Sequence, residues 1–279
     1  MSQKSYNGSN SVYLIPTPIG NLEDITIRGV NTLNLVDVIF SEDTRKTRQL
    51  LAHLNIKKKL IPSHKFNEFE NKEKLLKCLK DGLNVGIVTD RGTPIISDPG
   101  ELLTNYAIEE NYNVIALPGP TAFVPALIAS GLNAEHFYFY GFLNSKESKA
   151  KKELEELKKI KDTLIFYEAP HRIEKTLKVL ENILGNRQIS ISREISKKYE
   201  EIYRGNISQI EKEIVGAKGE MVIVVEGNKE VISYDDISIP EHVNMYILEG
   251  IDKKEAMKKV AKDRNVSKSE VYKIYNRGE

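Results

Sequence analysis

The amino-acid sequence predicts an α/β protein made of two α/β domains and a small helical C-terminal extension. Three observations predict it. Val/Ile-rich runs alternate with helix-patterned stretches through the first half, closely spaced strands follow in the second, and two charged amphipathic segments close the chain. The length agrees, since 279 residues correspond to two domains at roughly 150 residues each.

In chain order, residues 1–11 are polar, carry no apolar core of a signal peptide, and are expected to be a disordered start. The first domain is expected over 12–132. Its strands are VYLI (12–15), VIF (38–40), VGIVT (85–89) and VIAL (114–117), whose uninterrupted apolar character suits a parallel sheet covered on both faces. Between them the helical pattern runs through 25–36, 44–54, 71–80, 101–110 and 121–130. GLNAEH (131–136) breaks that pattern, and a second domain is expected over 133–227. There FYFYGF (137–142) and TLIFY (163–167) precede helices at 146–160 and 172–184. QISISREIS (188–196), EEIYRGNI (200–207) and EMVIVVEG (220–227) are spaced for hairpins and a mixed sheet. Residues 228–279 read as a polar linker ending at Pro240 and a basic helical extension, 253–264 and 267–275, with Ser267 and Glu270 as a capping box.

Composition excludes several classes. Lys and Arg number 41 against 40 Asp and Glu, so no global basic surplus advertises a nucleic-acid partner. The lone Cys78 makes no internal disulfide, and five dispersed histidines give no metal-ligand spacing. The longest apolar runs are too short to cross a bilayer. A soluble, cytoplasmic protein without metal is expected. GxGxxG after the first strand, GxxxxGK[ST], HExxH and GxSxG are all missing.

Chemistry in an open α/β sheet gathers at the carboxyl ends of parallel strands, and the unusual loops lie there. They are PTPIGN (16–21), SEDTR (41–45), DRGTPIISDPG (90–100) and PGPT (118–121), with EAPHR (168–172) after a strand of the second domain. Two neighbouring Pro/Gly-rich loops, 90–100 and 118–121, suggest a small-molecule site between them. Asp98, followed by Pro99, has the sequence pattern of a helix N-cap. In SEDTRKTR, Asp43 is a helix N-cap on one reading. On the other, Arg45 and Arg48 share a face suited to phosphate oxygens. EAPHR is likewise either a polar helix start or part of a site through Glu168, His171 and Arg172. From Gly250 to Glu279 nine basic residues, among them Lys258 and Lys268, outnumber five acids, with Tyr272 and Tyr275 between them. That pattern fits either a nucleic-acid contact or a solubilising tail.

Taken in order, PTPIGNLEDITIRGVNTL, SEDTRKTRQLL, GTPIISDPG, LPGPTAFVPALIASGL, FYGFL and EAPHRI resemble the tetrapyrrole methylase superfamily, and within it the branch that methylates 16S ribosomal RNA. The resemblance runs from about residue 12 to the C-terminus. It implies a class III methyltransferase that holds S-adenosylmethionine in a cleft between its two α/β domains, as a homodimer. Its implied reaction is methylation of the ribose 2′-oxygen of a decoding-centre cytidine of 16S rRNA, within the 30S subunit. By motif, the cofactor is expected at Pro18, Asp90, Gly92, Thr93, Ile95, Ser97, Thr121, Ala122, Phe142 and Ala169. RNA is expected at Arg45, Arg48, Arg172, Lys258 and Lys268. The base that would assist the hydroxyl is expected among Glu42, Asp43 and Asp90, with His64 as a further candidate. TDRGTP stands here where the family usually has SDAGTP, so Arg91 is expected either to pair with Asp90 or to reach RNA. Two other readings remain at this point: a tetrapyrrole C-methyltransferase with the same cleft, and a nucleic-acid-binding regulator using the tail as a helix-turn-helix.

Overall fold

The structure is a computed structural model that describes residues 2–5, 7–229 and 237–277. It divides into two compact units, residues 1–228 and 229–279.

The first unit holds two five-stranded sheets. Strands β1 (Ser11–Leu14), β2 (Val38–Ser41), β3 (Lys59–Pro62), β4 (Val85–Val88) and β5 (Asn113–Ala116) form the first, in the order β3-β2-β4-β1-β5 and parallel throughout. Helices α1 (Ile27–Leu35) and α2 (Thr44–His53) cover one face, where Leu33, Leu51, Ile15 and Ile39 pack. Helices α3 (Glu68–Lys80) and α4 (Glu101–Glu109) cover the other, through Leu75, Leu79, Leu103 and Phe40. Burial from both sides is why β2 and β4 read as unbroken apolar runs.

β6 (Phe137–Phe142), β7 (Thr163–Glu168), β8 (Gln188–Arg193), β9 (Glu201–Asn206) and β10 (Met221–Val225) form the second sheet, in the order β6-β7-β10-β8-β9. Only β6 and β7 run parallel; the other pairs are antiparallel. Helices α6 (Glu147–Leu157), α7 (Ile173–Leu184) and α8 (Ile207–Glu213) pack on one face through Leu154, Leu177, Ile210 and Phe166. The opposite face is covered by α5 (Phe123–Ala129), whose Ala126 and Leu127 meet Ile165, Val222 and Val224. Thus α5, which precedes the break at residues 131–136, packs with the second sheet.

The C-terminal unit contains α9 (Ile239–Leu248), α10 (Lys253–Asp263) and α11 (Lys268–Arg277) around Val243, Val260, Val271 and Tyr275. Pro240 lies in the first turn of α9 rather than at the end of a linker, and the complete capping box is Ser238 with Glu241. At Ser267 only half of the expected box is made, Glu270 N–H donating to the Ser267 hydroxyl at 3.2 Å. Residues 230–236 of the expected linker lie outside the described residues. No helix among the described residues is long and apolar enough to cross a membrane.

Candidate active site

The loops singled out by sequence meet at one end of the first sheet. Thr17 and Gly92 exchange backbone hydrogen bonds at 2.9 Å each way, joining the loop after β1 to the loop after β4. Thr93 Oγ1 donates to Pro120 O at 3.0 Å, joining that loop to the one after β5. Gly92 has φ 80°, and Ile95 (φ 77°) and Ser97 (φ 64°) hold the same left-handed region without glycine's freedom. A β-branched residue there is strained, and such strain concentrates at ligand sites. Gly119 allows a close approach: a Cβ on it would lie 2.6 Å from Pro16 Cβ and 2.8 Å from Pro16 Cγ. Replacing Gly119 by valine should therefore separate the two loops and destabilise the chain by about 1–3 kcal/mol, read as a lower denaturant midpoint. An unchanged midpoint would show that the contact tolerates a side chain.

The facing wall comes from the second sheet. Met221 of β10 pairs antiparallel with Glu168 of β7 and with Arg193 of β8, so the start of β10 and the ends of β7 and β8 share one edge. Between the walls lies a cleft of about 580 Å³, within the range of small-molecule sites. It is lined by Glu42, Asp90, Gly92, Thr93, Ser97, Thr121, Ala122, Phe142 and Ala169, all expected there, and also by Lys46, Asp98, Tyr167, Lys197 and Glu220. Pro18 stands between Thr17 and the lining residue Ile19. The Ile95 side chain packs toward the first core instead, beside lining residues Ile96 and Ser97.

The electrostatics separate the carboxylates by role. Asp43 caps α2, accepting from Arg45 N at 2.9 Å, Nε at 3.0 Å and Nη2 at 2.8 Å. The Arg45 guanidinium and amide hold its carboxyl far below the usual range, so it is no proton acceptor near neutral pH. Asp90 accepts from Asp43 N at 3.0 Å and from Lys46 Nζ at 2.5 Å. Arg91 pairs with neither Asp90 nor Asp43. It reaches Glu220 at 2.8 Å, beside Lys197, which binds Glu194 at 2.7 Å.

Asp98 differs from its expected role. α4 begins after Gly100 (φ 124°) with no side-chain cap, and Asp98 lies in the cleft. Burial pushes its pKa up to about 6, against the Thr89 hydroxyl, with the charges of Glu42, Asp90 and Glu220 adding to the rise. That buried hydroxyl donates to Glu42 Oε2 at 3.0 Å, so its single proton cannot also serve Asp98. Sequence reasoning missed this because Asp-Pro before a helix has the pattern of a cap.

EAPHR supports the cleft wall. Glu168, 2% exposed, accepts from Ala169 N at 2.7 Å and Thr176 Oγ1 at 2.6 Å, and pairs with Arg172 Nε at 3.2 Å. Arg172 also donates to Leu143 O at 2.9 Å, an arrangement that ties the turn after β7 to the end of β6. Arg45 and Arg48 are exposed on α2 at the same end of the first sheet as the cleft. Exposed His64 follows β3, outside the cleft lining. Lys258 and Lys268 belong to α10 and α11 of the C-terminal unit. No group of three metal-ligating side chains gathers among the described residues.

Comparison with known proteins is consistent with this geometry. Residues 11–211 match the family model of tetrapyrrole (corrin/porphyrin) methylases. The chain is 46% identical to the ribosomal RNA small subunit methyltransferase I of Bacillus subtilis, over 98% of both chains. It is 40% identical to that of Streptococcus pyogenes serotype M1, again over 98% of both. Among solved structures, the methyltransferase CobJ aligns with TM-score 0.60 at 18% identity, over 78% of this chain and 95% of that one. The uroporphyrin-III C-methyltransferase of Thermus thermophilus, in complex with S-adenosyl homocysteine, aligns with TM-score 0.55 at 20% identity, over 78% and 97%. At these identities the structural matches show the fold.

Proposed function

The chain belongs to the tetrapyrrole methylase family, in its ribosomal RNA small subunit methyltransferase I branch, and we propose that it methylates the ribose 2′-oxygen of a decoding-centre cytidine in 16S rRNA. The observation that carries this reading is a full-length relationship to that branch combined with an acid-lined cleft between two sheets. Its cofactor is S-adenosylmethionine.

The cleft residues fit that cofactor. Its amino and sulfonium charges suit a wall holding Glu42, Asp90 and Asp98, and its adenine suits the apolar surfaces of Ala122, Phe142 and Ala169. Gly92, Thr93, Ser97 and Thr121 offer backbone and hydroxyl partners from loops already rigid, with Pro18 and Ile95 shaping those loops. Bound there, the cofactor brings a methyl group on a good leaving group, so no metal or covalent enzyme intermediate is required.

What this chain must add is a proton acceptor for a weakly acidic hydroxyl. Asp98 is our proposed base, because its raised pKa combines readiness to accept a proton with ionisation at neutral pH. Glu42 and Asp90 act through it, their charges keeping that pKa high. Asp90 also orders Lys46 and the start of α2.

RNA binding rests on local basic surfaces. Arg45 keeps three of its five guanidinium donors beyond those given to Asp43, and Arg48 is exposed nearby. In the C-terminal unit, Lys258 and Lys268 are proposed contacts, while Arg172 contributes by holding the cleft wall. A double substitution, Arg45→Ala with Arg48→Ala, should weaken 30S binding evenly across sequences and reduce the salt slope by about two. An unchanged slope would remove both from the interface.

The unit acting on RNA is proposed to be a homodimer, on 30S particles in the cytoplasm. Edge strand β6 exposes Phe137 on the sheet side that α5 covers, and α5 exposes Ile128, apolar surface suited to a second copy. The overall reading is tested by offering labelled cofactor with unmethylated 30S subunits, free 16S rRNA or uroporphyrinogen. Label is expected in rRNA; label in the tetrapyrrole alone would contradict the proposal.

A further inference from the structure

The segment between β3 and α3 presents aromatic rings to solvent from a backbone that is firmly held. Phe66 is 92% exposed and Phe69 73% exposed, the two most exposed phenylalanines of the chain. A loose loop would explain such rings without function, but this loop is fastened before and after Phe66. Ser63 N–H donates to Ser41 O at 2.7 Å, and His64 N–H to Asn67 Oδ1 at 2.8 Å. Asn67 and Asn71 both donate to Pro62 O, at 3.1 and 2.8 Å. Asn71 is fully buried, and Glu68, 5% exposed, accepts from Leu103 N at 3.4 Å. Glu68 and Asn71 thus face inward, and the apolar rings face outward.

That inversion sits beside the cleft. The Ser63–Ser41 bond joins this turn to the loop carrying Glu42, Asp43 and Arg45, at the strand ends where the cleft opens. Lys65 is exposed next to Phe66, the His64 ring meets Phe66 edge-on at 6.2 Å, and Lys72 Nζ lies 5.1 Å over the Phe69 ring. Flat apolar faces among cations are the surface on which unpaired bases stack, the neighbouring arginines being placed for phosphates. A protein partner would more often cover a wider apolar patch than two exposed rings flanking the buried Glu68.

We propose that Phe66 and Phe69 form a stacking platform for unpaired bases of the RNA substrate, next to the cleft in which the methyl group is transferred. The inference rests on the RNA-methylating reading and names how that substrate is gripped. It also gives exposed His64 a place, as an edge support for Phe66 rather than as the base.

The chain has no tryptophan, so Phe66→Trp creates a single tryptophan reporter, excited on the red edge where the tyrosines do not absorb. With that variant, a single-stranded pyrimidine-rich RNA dodecamer should quench the emission at low salt, and the corresponding duplex should quench it much less. In the methylation assay, Phe66→Ala should raise KM for 30S subunits roughly tenfold or more, with KM for S-adenosylmethionine unchanged. Phe66→Trp should restore RNA KM, whereas Phe66→Leu should not. Thermal melting of each variant controls for folding. Equal 30S KM in Phe66→Ala and the parent, or no quenching by the single strand, overturns the platform. A variant that changes the oligomeric state while RNA binding persists also overturns it and assigns the rings to a protein contact. Should the parent chain methylate no rRNA, the functional reading fails, and the quenching experiment still decides whether the rings bind unpaired bases.

Discussion

Replacing Asp98 by asparagine is expected to lower the methylation rate at pH 7.5 by roughly a hundredfold or more, while making the protein more stable. The substitution keeps the shape and removes the ability to take a proton. In the parent, the acid limb of kcat/KM should fall with a midpoint near the Asp98 value of about 6, because the base is lost as it protonates. The stability change has a definite sign. Asp98 titrates higher in the folded chain than in the unfolded one, so its charge opposes folding, fully so above about pH 6. The penalty fades as pH falls from 6 toward 4. Asparagine should therefore gain on the order of 2 kcal/mol at pH 7.5, after discounting for partial exposure, and little at pH 4. Denaturant melts at both pH values measure the gain. A variant that is less stable at pH 7.5, or fully active, would remove Asp98 from this role.

Glu168→Ala should be among the most damaging single changes to the fold. It leaves the partly buried Arg172 without its carboxylate and deprives Thr176 and the Ala169 amide of their acceptor. Breaking one side of such a buried pair costs about 3–5 kcal/mol, whereas the surface pair Arg91–Glu220 should contribute less than about 1 kcal/mol. Chemical denaturation of Glu168→Ala beside Arg91→Ala compares them directly. Similar small losses would mean that the turn after β7 relaxes around the lost carboxylate. The loss of Glu168 should also weaken cofactor binding, since Ala169 lines the cleft.

Much of this architecture was legible because burial on both faces leaves a strong mark. VIFS and VGIV are buried at every position, as strands of a parallel sheet under two helical layers are. Strand β3, KLIP, escaped because it is an edge strand with exposed ends and a terminal proline. α9 escaped because Pro240 reads as a stop, although a proline in the first turn is compatible with helix. The loops after β1, β2, β4 and β5 stood out through proline, glycine and charge, and they meet at the cleft. Pairings made across the cleft left no such mark. Arg91 and Glu220 are 129 residues apart, and nothing local to either predicts the other. The role of Asp98 was hidden for a different reason: one residue pattern serves both a cap and a cleft acid, and only the backbone at Gly100 distinguishes them.

Alkaline hydrolysis reads directly which atom receives the methyl group. A ribose 2′-O-methyl group removes the hydroxyl that attacks the adjacent phosphodiester, so the modified linkage resists cleavage. Unmethylated 30S subunits treated with the protein and S-adenosylmethionine should yield 16S rRNA with one new alkali-resistant linkage, 3′ to a decoding-centre cytidine, and Asp98→Asn should leave that linkage labile. Transfer of label to rRNA with every linkage still cleaved would place the methyl group on a base and rule out ribose methylation.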